Sequence, residues 1–304
     1  MAEDISRPTH DVLNNPRTLS LSCLDHGYVR LVDCSPRLVP ENPGTADCAI
    51  VQAARVSYGA GVKSRSEDQT LIRYLLRHAH TTPLEMVEFK FHCKMPIFVA
   101  RQWIRHRTAS VNEVSGRYSV VHDQFYVPEL DAIRAQSTQN KQGGGEVMMT
   151  ELAEAFQKDC RLNAEDSYRC YTSALQSGVS REQARIQLPL NLYTEWYWKI
   201  DLHNLLHFLA LRCDSHAQYE IRVFAEAMLE LITPIVPVAI EAWNDYHPMR
   251  GGMRLSRLEV EALRRMLQPT KAYFEVASDN KREQQEWLDK LTNRLGVDVP
   301  DAQA

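Results

Sequence analysis

The chain has 304 residues, of which 44% are hydrophobic and 24% are charged, and its formal net charge is −4. This composition is typical of an ordinary soluble globular protein that can bury a full core. The negative balance argues against general nucleic-acid binding, which usually depends on a basic domain. No apolar run reaches membrane-spanning length, and the N-terminal residues lack the apolar segment of a secretory signal.

Seven cysteines are scattered along the chain, and no two of them form a CxxC pair. This spacing indicates neither a disulfide framework nor a zinc ribbon. We therefore expect reduced thiols, no bound metal and a cytoplasmic location.

Hydrophobic periodicity predicts alternating strands and helices through most of the chain. Strands are predicted at 28–33, 89–95, 118–127 and 192–200, and helices at 47–57, 66–78, 96–104, 146–174, 201–211, 215–232 and 239–246. Pro96 is expected as the first residue of its helix, and Ser180 is expected to cap a short helix that carries Arg185. The polar segment 107–117 predicts a loop, and the polar, glycine-rich segment 129–145 predicts a flexible insertion.

A concentration of arginine is the most informative local feature. Four arginines and one glutamate lie within seventeen residues: Arg101, Arg105, Arg107, Glu113 and Arg117. Arginine directs a planar fork of donors at phosphate or carboxylate, and Ser115 and Gly116 add hydroxyl and backbone donors. A single arginine near a helix C-terminus is commonly explained by the helix dipole. Four of them beside Ser115 and Gly116 favour a nucleotide or cofactor site.

Several common site motifs do not occur. The glycine patterns of dinucleotide-binding domains and P-loops, and the GxSxG of serine hydrolases, are absent from the sequence. His203 and His207 lie four residues apart on a predicted helix, and His216 follows. This spacing is compatible with zinc, but the sequence specifies no third ligand and no intervening glutamate. Hydrogen-bonding histidines are the favoured interpretation.

Two further arginines, Arg185 and Arg212, lie among apolar residues of predicted helices. Such an arginine commonly forms a partly buried ion pair, here with Asp214 or Glu220, and it can equally bind an anionic ligand. The sequence leaves both alternatives open.

The chain also carries an ordered set of motifs around Arg105-His106-Arg107, which is followed by seven residues and then Ser115. Further matching segments lie at 54–57, 80–85, 96–103, 112–118, 184–189 and 211–218. Together these segments resemble the signature of the flavin-dependent thymidylate synthases, and the order of so many segments makes the resemblance specific. It covers roughly residues 25 to 248.

The resemblance implies an α+β fold with a central sheet flanked by helices, and a homotetramer with active sites at subunit junctions. It implies conversion of deoxyuridylate (dUMP) to thymidylate (dTMP), with methylenetetrahydrofolate as carbon donor and FAD reduced by NADPH. It does not imply a nucleic-acid or membrane partner. The expected domains are an N-terminal extension (1–24), the catalytic domain (25–248, with the insertion at 129–145) and a C-terminal helical extension (249–304).

The resemblance also implies roles for individual residues. The FAD contacts are Ser57, His80, Thr82, Arg105, His106, Arg107 and Glu113, with Asp201, Leu202, His203 and His207 supplied by another subunit. The dUMP contacts are Gln102, Arg105, Glu113, Ser115, Gly116, Arg117, Arg185 and Arg212. Arg212 is expected to be the catalytic residue that activates the pyrimidine. Asp201 and His207 stand where many family members carry asparagine.

Two rival hypotheses accompany this interpretation. A non-catalytic nucleotide-binding protein would keep the arginine-rich site and lack turnover. A structural protein whose arginines pair only internally would bind no flavin and would purify without yellow colour.

Overall fold

The computed structural model of the chain describes residues 20–37, 45–56, 65–138, 143–250, 255–267 and 280–297. The chain divides into two compact units, Met1–Gly251 and Gly252–Ala304. None of the described helices combines the length and the apolar character that a membrane crossing requires.

The first unit is built on an antiparallel sheet. Its described strands are β1 (Ser20–Cys23), β2 (Gly27–Ser35), β3 (Glu88–Pro96), β4 (Ser110–Glu113), β5 (Arg134–Gln136), β6 (Gly144–Val147) and β7 (Tyr193–Asp201). Five of these strands form one sheet in the order β1-β2-β3-β7-β4, and β5 and β6 form a separate hairpin.

Buried residues alternate with more exposed ones along strands β3 and β7, and this pattern explains which face of the sheet carries the core. On β3, Phe89, Phe91 and Cys93 are fully buried, and the residues between them are partly exposed. On β7, Trp196 lies opposite Cys93 and Trp198 lies opposite Phe91. Because side chains on a strand point alternately to opposite faces, these residues place the hydrophobic core on one face of the sheet. The predictions of both strands are confirmed.

The described helices of the first unit cover and extend this sheet. They are α1 (Asp47–Val56), α2 (Arg65–Arg77), α3 (Ile97–Trp103), α4 (Thr150–Gln176), α5 (Arg181–Ala184), α6 (Leu202–Arg212), α7 (Tyr219–Ile232) and α8 (Pro237–Tyr246). Short 3-10 helices lie at Thr82–Met86, Leu130–Ala132, Arg185–Gln187 and Pro248–Arg250. The predicted helices are therefore present, with ends shifted by a few residues. Mixed helices and an antiparallel sheet make this an α+β fold, as expected.

Aromatic packing brings the ends of α3 and α6 together. Trp103, the last residue of α3, is completely buried and stacks on Phe208 of α6 with ring centroids 5.1 Å apart. The same indole meets Trp196 and Trp198 of β7 edge-on, at 5.3 Å from each. These contacts fix the C-terminal part of both helices on the core, and the residues that follow Trp103 emerge beside α6.

Three local predictions were wrong. Pro96 is the last residue of β3 and the N-cap of α3, so the helix begins at Ile97. The segment 107–117 contains strand β4, whose four residues are all exposed and so lack the alternation that reveals a half-buried strand. The segment 118–127 is not a strand, because β4 occupies the sheet edge, and only Phe125 forms an isolated bridge, to Leu192.

The structure also differs from the predicted bounds of the insertion and of the N-terminal extension. The insertion at 129–145 includes a 3-10 turn and most of the β5–β6 hairpin, with residues 139–142 outside the described part of the chain. The two short strands β5 and β6 pair antiparallel there. Strand β1 lies within the predicted extension 1–24, yet it pairs with β2 and so belongs to the sheet.

The second unit is helical in its described residues. It contains α9 (Arg257–Leu267), α10 (Lys281–Lys290) and a π-helical turn at Leu291–Leu295. Gly296 ends this turn with a φ of 67°, a left-handed conformation that glycine adopts without strain.

Candidate functional site

A group of polar side chains gathers where α3 and α6 end, and we call it the helix-end cluster: Gln102, Arg105, His106, His207 and Arg212. The chain turns sharply after α3, since the backbone N–H of His106 donates to the Trp103 carbonyl over 3.0 Å. That turn sets His106 beside α6. The buried Trp103 thereby anchors the start of the segment 105–107 that follows it.

One hydrogen bond connects the two ends of this cluster. Arg212 Nε donates to His106 Nε2 over 3.2 Å. Because arginine has no acceptor, the imidazole must accept at Nε2 and carry its proton on Nδ1. The His106 ring also meets Phe208 edge-on at 4.9 Å and lies 6.1 Å from the His207 ring.

Electrostatics agree with a neutral imidazole. Burial, together with the neighbouring charges of Arg212 and His207, lowers the pKa of His106 to about 4. Burial also lowers the pKa of the Arg212 guanidinium from its ordinary value. Arginine stays charged at neutral pH all the same. A cation in partly desolvated surroundings acts on a bound anion more strongly than it would in water.

The carboxylates expected beside Arg212 are engaged elsewhere. Asp214 pairs with His216 at 2.9 Å, and Glu220 accepts from the Tyr126 hydroxyl at 3.3 Å. In the part of the chain that the structure describes, Arg212 has a single side-chain partner, His106. For Arg212, the alternative of a structural ion pair with Asp214 or Glu220 is therefore wrong.

A second polar group, the loop cluster, comprises Ser115, Gly116, Arg117, Glu182 and Arg185. Arg117 Nε donates to Glu182 Oε2 over 3.0 Å, and Arg185 Nε donates to the Glu182 carbonyl over 3.3 Å. The backbone N–H of Arg117 donates to the Ser115 hydroxyl over 3.3 Å. Helix α5, which carries Glu182, thereby holds the two arginines of this cluster near each other.

Gly116 permits a close approach inside the loop cluster. A Cβ at this position would lie 3.2 Å from Val121 Cγ2 and 3.4 Å from Arg185 Cδ. The first distance is shorter than an ordinary carbon–carbon contact of about 3.5–4.0 Å. A side chain at residue 116 would therefore press on the Val121 side chain and crowd that of Arg185.

Glu113 lies at the end of β4, just before the loop cluster. Its Oε1 accepts a hydrogen bond from the Thr194 hydroxyl over 2.6 Å. Behind this point, Thr194, Ser115 and Gly116 help to line a cavity of about 190 Å³. Ligand sites commonly enclose about 300–1,000 Å³, so this cavity alone is too small for a nucleotide.

A larger cleft lies elsewhere in the same unit. It has a volume of about 1020 Å³ and is lined by Asp25, Tyr126 and Glu220 among others. None of the predicted site residues is among its described lining residues. One of its lining residues, Gln218, accepts a hydrogen bond from the Gln102 side chain of the helix-end cluster.

Comparison with known proteins places this arrangement in a family. A family model described as thymidylate synthase complementing protein matches residues 37–238. A flavin-dependent thymidylate synthase of Dictyostelium discoideum is 53% identical over 281 residues, which cover 92% of this chain and 89% of that protein. A second one, from Gluconobacter oxydans, is 48% identical over 91% of this chain and 89% of its own length. The chain belongs to the flavin-dependent thymidylate synthase family.

Solved structures agree with this membership. The UMP/dUMP methylase PolB from Streptomyces cacaoi, solved with 5-Br dUMP, is 32% identical to the chain with a TM-score of 0.65. The match covers 74% of this chain and 98% of that one. The predicted resemblance and the predicted fold are thus both confirmed.

Four residues that the resemblance assigns to the flavin lie at the start of α6 or within it. The Asp201 carboxylate caps this helix, accepting from the Asn204 backbone over 2.9 Å and from its side-chain amide over 2.7 Å. Leu202 is completely buried, and its backbone N–H donates to the Val87 carbonyl over 2.7 Å. Asp201 and Leu202 therefore have structural functions within the chain, while His203 and His207 keep partly exposed rings.

The remaining predicted flavin residues are His80, Thr82 and Ser57. His80 and Thr82 are exposed and sit next to the 3-10 helix Thr82–Met86, which packs against α6. Ser57 lies outside the described residues.

Sequence reasoning missed three residues that contact the predicted site. Glu182 binds Arg117, Thr194 binds Glu113, and Gln218 binds Gln102. Glu182 could have been found from its position three residues before Arg185, which places both on one helical turn. Gln218 lies within the matching segment 211–218. Thr194 gave no signal, since a buried threonine on a strand is common.

The structure gives no support to the zinc alternative for the paired histidines. No group of three or more His, Cys, Asp or Glu side chains that could hold a metal ion occurs among the described residues. His207 instead faces the imidazole of His106.

Proposed function

We propose that this chain catalyses the reductive methylation of dUMP to dTMP, with methylenetetrahydrofolate as the carbon donor and with FAD that NADPH reduces. The observation that carries the proposal is the state of Arg212. This guanidinium is partly buried, has no carboxylate partner among the described residues, and lies beside a neutral histidine. A partly buried cation with no carboxylate partner among the described residues is best explained by an anionic ligand.

The loop cluster suits the phosphate end of dUMP. Arg117, Arg185, the Ser115 hydroxyl and the backbone of Gly116 supply donors of the kind that bind a phosphate dianion. Each charge-assisted hydrogen bond contributes about 1.5–3 kcal/mol, so several are needed to hold the substrate against water. The exposed Arg117–Glu182 pair can open to admit the phosphate, because an exposed ion pair contributes only about 0–1 kcal/mol to stability.

The helix-end cluster suits the pyrimidine. The uracil ring must become nucleophilic at C5 before it can accept a one-carbon unit, and negative charge then develops on the ring. A fixed cation beside the ring stabilises that charge, and a partly desolvated setting strengthens the effect. We assign this task to Arg212, with Gln102 and Glu113 as hydrogen-bonding partners of the substrate.

The donors around Arg105-His106-Arg107 also fit the flavin. Arg105 and Arg107 are exposed and have no carboxylate partner in the described part of the chain, so they can bind a pyrophosphate. We assign them to FAD together with His106, His80, Thr82, His203 and His207. When FAD is bound and reduced, it supplies the hydride, which is chemistry of the cofactor.

We further propose that each active site forms between subunits of a homotetramer. The Arg212–His106 bond lies within the helix-end cluster and the Arg117–Glu182 bond lies within the loop cluster, and the cavity beside the loop cluster is too small for a nucleotide. Helix α4 also leaves Leu152, Phe156 and Leu162 more than half exposed. Apolar exposure of this kind marks an interaction surface.

All seven cysteines are free, which supports a reducing compartment such as the cytoplasm.

Two measurements on one preparation test the proposal. The purified protein should show the visible absorption of an oxidised flavin. Given methylenetetrahydrofolate and NADPH, it should release tritium from C5-labelled dUMP and form dTMP. Binding of dUMP and FAD without tritium release would favour the non-catalytic nucleotide-binding protein, and absence of both flavin and dUMP binding would reject the assignment.

A further inference from the structure

The two nitrogen atoms of His106 are in different situations. Nε2 accepts the hydrogen bond from Arg212 at 3.2 Å, whereas Nδ1 has no partner in the described part of the chain. We propose that His106 is a positioning residue that aims the Arg212 guanidinium through Nε2, a role separate from any contact that its Nδ1 makes with the flavin. This inference rests on the proposed function of Arg212.

Arg212 needs such a constraint. It lies in the last turn of α6, and its long side chain has many rotamers that it would otherwise sample. His106 is its single side-chain partner among the described residues, and it binds the Nε atom at the base of the guanidinium plane. A bond at Nε fixes the direction of the planar fork and leaves both terminal nitrogens free for a substrate.

His106 is itself fixed to the core. Its backbone N–H is bound to the Trp103 carbonyl, and its ring packs edge-on against Phe208 at 4.9 Å. Trp103 and Phe208 are both completely buried and stack on each other. A rigid path therefore leads from the two aromatic rings through the imidazole to the guanidinium.

The charge state of His106 is suited to this task. Burial, Arg212 and His207 together lower its pKa to about 4. A neutral imidazole can accept a hydrogen bond from a cation, while an imidazolium could only repel it. The histidine thus orients Arg212 without neutralising its charge, which a carboxylate in the same place would do.

A pair of amide substitutions separates the two nitrogens. Glutamine places its terminal atoms near the position of Nε2, so His106→Gln keeps an acceptor for Arg212. Asparagine places them near Nδ1, so His106→Asn loses the acceptor and keeps a polar group on the other side. For the holoenzyme at saturating FAD we expect the loss of kcat in His106→Gln to be at least tenfold smaller than the loss in His106→Asn. We expect His106→Asn to lose about 100-fold, the effect of a misplacement of about 1 Å.

A double-mutant cycle tests whether the effect passes through Arg212. If His106 acts by aiming this arginine, His106→Asn should lower kcat much less in an Arg212→Lys background than in wild type. Flavin content per chain is measured in every variant, so that a loss of FAD is not mistaken for a loss of positioning.

A readout without turnover completes the test. Nitrogen NMR of the flavin-free protein at pH 7 should show His106 neutral and protonated on Nδ1, and the Nε2 signal should shift in Arg212→Lys. The proposal is overturned if His106→Asn is as active as His106→Gln, if the two effects simply add, or if the NMR shows protonation on Nε2. Failure of wild type to form dTMP would instead reject the proposed function, so the two failures are distinguishable.

Discussion

The helix-end cluster and the loop cluster both contain arginine side chains, but they hold them differently. Arg212 ends a helix packed on the core, is partly buried, and has a neutral histidine as its partner. Arg117 lies on a turn, and it pairs with Glu182 while the side chains of both remain more than half exposed, at 56% and 55%.

Under the proposed function, we expect this difference to separate a catalytic arginine from a substrate-binding one. A partly desolvated cation without a counter-ion is costly to the chain, and a ligand that becomes negative in the reaction relieves that cost most. An exposed ion pair contributes about 0–1 kcal/mol, so phosphate can replace the Glu182 carboxylate with little loss. We therefore expect substitutions in the helix-end cluster to lower turnover and those in the loop cluster to change substrate affinity.

The largest effect is expected for Arg212→Lys. Lysine keeps the charge but loses the planar fork and the Nε that binds His106, so kcat should fall about 100-fold or more. Flavin content should change little. Flavin absorbance, NADPH oxidation and dTMP formation are measured in one preparation, with Arg37→Lys, a surface arginine paired with Asp33, as the control. Normal dTMP formation by Arg212→Lys would remove this arginine from the mechanism.

The next largest effect is expected for Arg107→Ala. This side chain is exposed and lacks a carboxylate partner among the described residues, so its charge is available to the FAD pyrophosphate. Loss of one charge-assisted hydrogen bond should weaken FAD binding about 10- to 100-fold. Titration of the flavin-free variant with FAD measures the change, and Arg101→Ala on α3 is the matched control. Unchanged FAD affinity in Arg107→Ala would show that this residue is not a flavin contact.

The sequence predicted the parts of the molecule that depend on periodicity and on motif order. Phe89, Phe91 and Cys93 alternate with polar residues, so β3 was predictable from the chain alone. The candidate site residues in 102–117 and Arg212 came from the resemblance, and their roles remain predictions. Strand β4 was not, because its four exposed residues depend on pairing with β7 and carry no apolar pattern.

The pairing of charges could not be predicted for a different reason. Asp214 and Glu220 both lie close to Arg212 in sequence, yet the first binds His216 and the second binds Tyr126. The contact of Asp214 with His216 is local, two residues along the chain, whereas that of Glu220 with Tyr126 joins residues 94 positions apart and depends on tertiary packing. The bond between Arg212 and His106 joins residues 106 positions apart, a contact that local sequence reasoning has no means to detect.

In the loop cluster, Ser115→Ala should have a moderate effect. The Ser115 hydroxyl accepts from the Arg117 backbone, and no described histidine is bonded to it as a base. We therefore expect turnover to persist and the KM for dUMP to rise about fivefold, as the loss of about 1 kcal/mol of hydrogen bonding implies. Steady-state kinetics at saturating FAD measure both parameters. Complete loss of activity with dUMP and FAD binding intact would identify Ser115 as an obligatory nucleophile instead.

The smallest effect is expected for Glu182→Gln. This change removes the charge that competes with phosphate for Arg117 but keeps the backbone carbonyl that binds Arg185. Because the pair is exposed, the KM for dUMP should fall by no more than about threefold, with kcat unchanged. Glu241→Gln, which weakens the exposed contact with Arg73, is the matched control. A tenfold rise in KM would mean that Glu182 orients Arg117 for the substrate, and the loop cluster would then resemble the helix-end cluster in needing a fixed partner for its arginine.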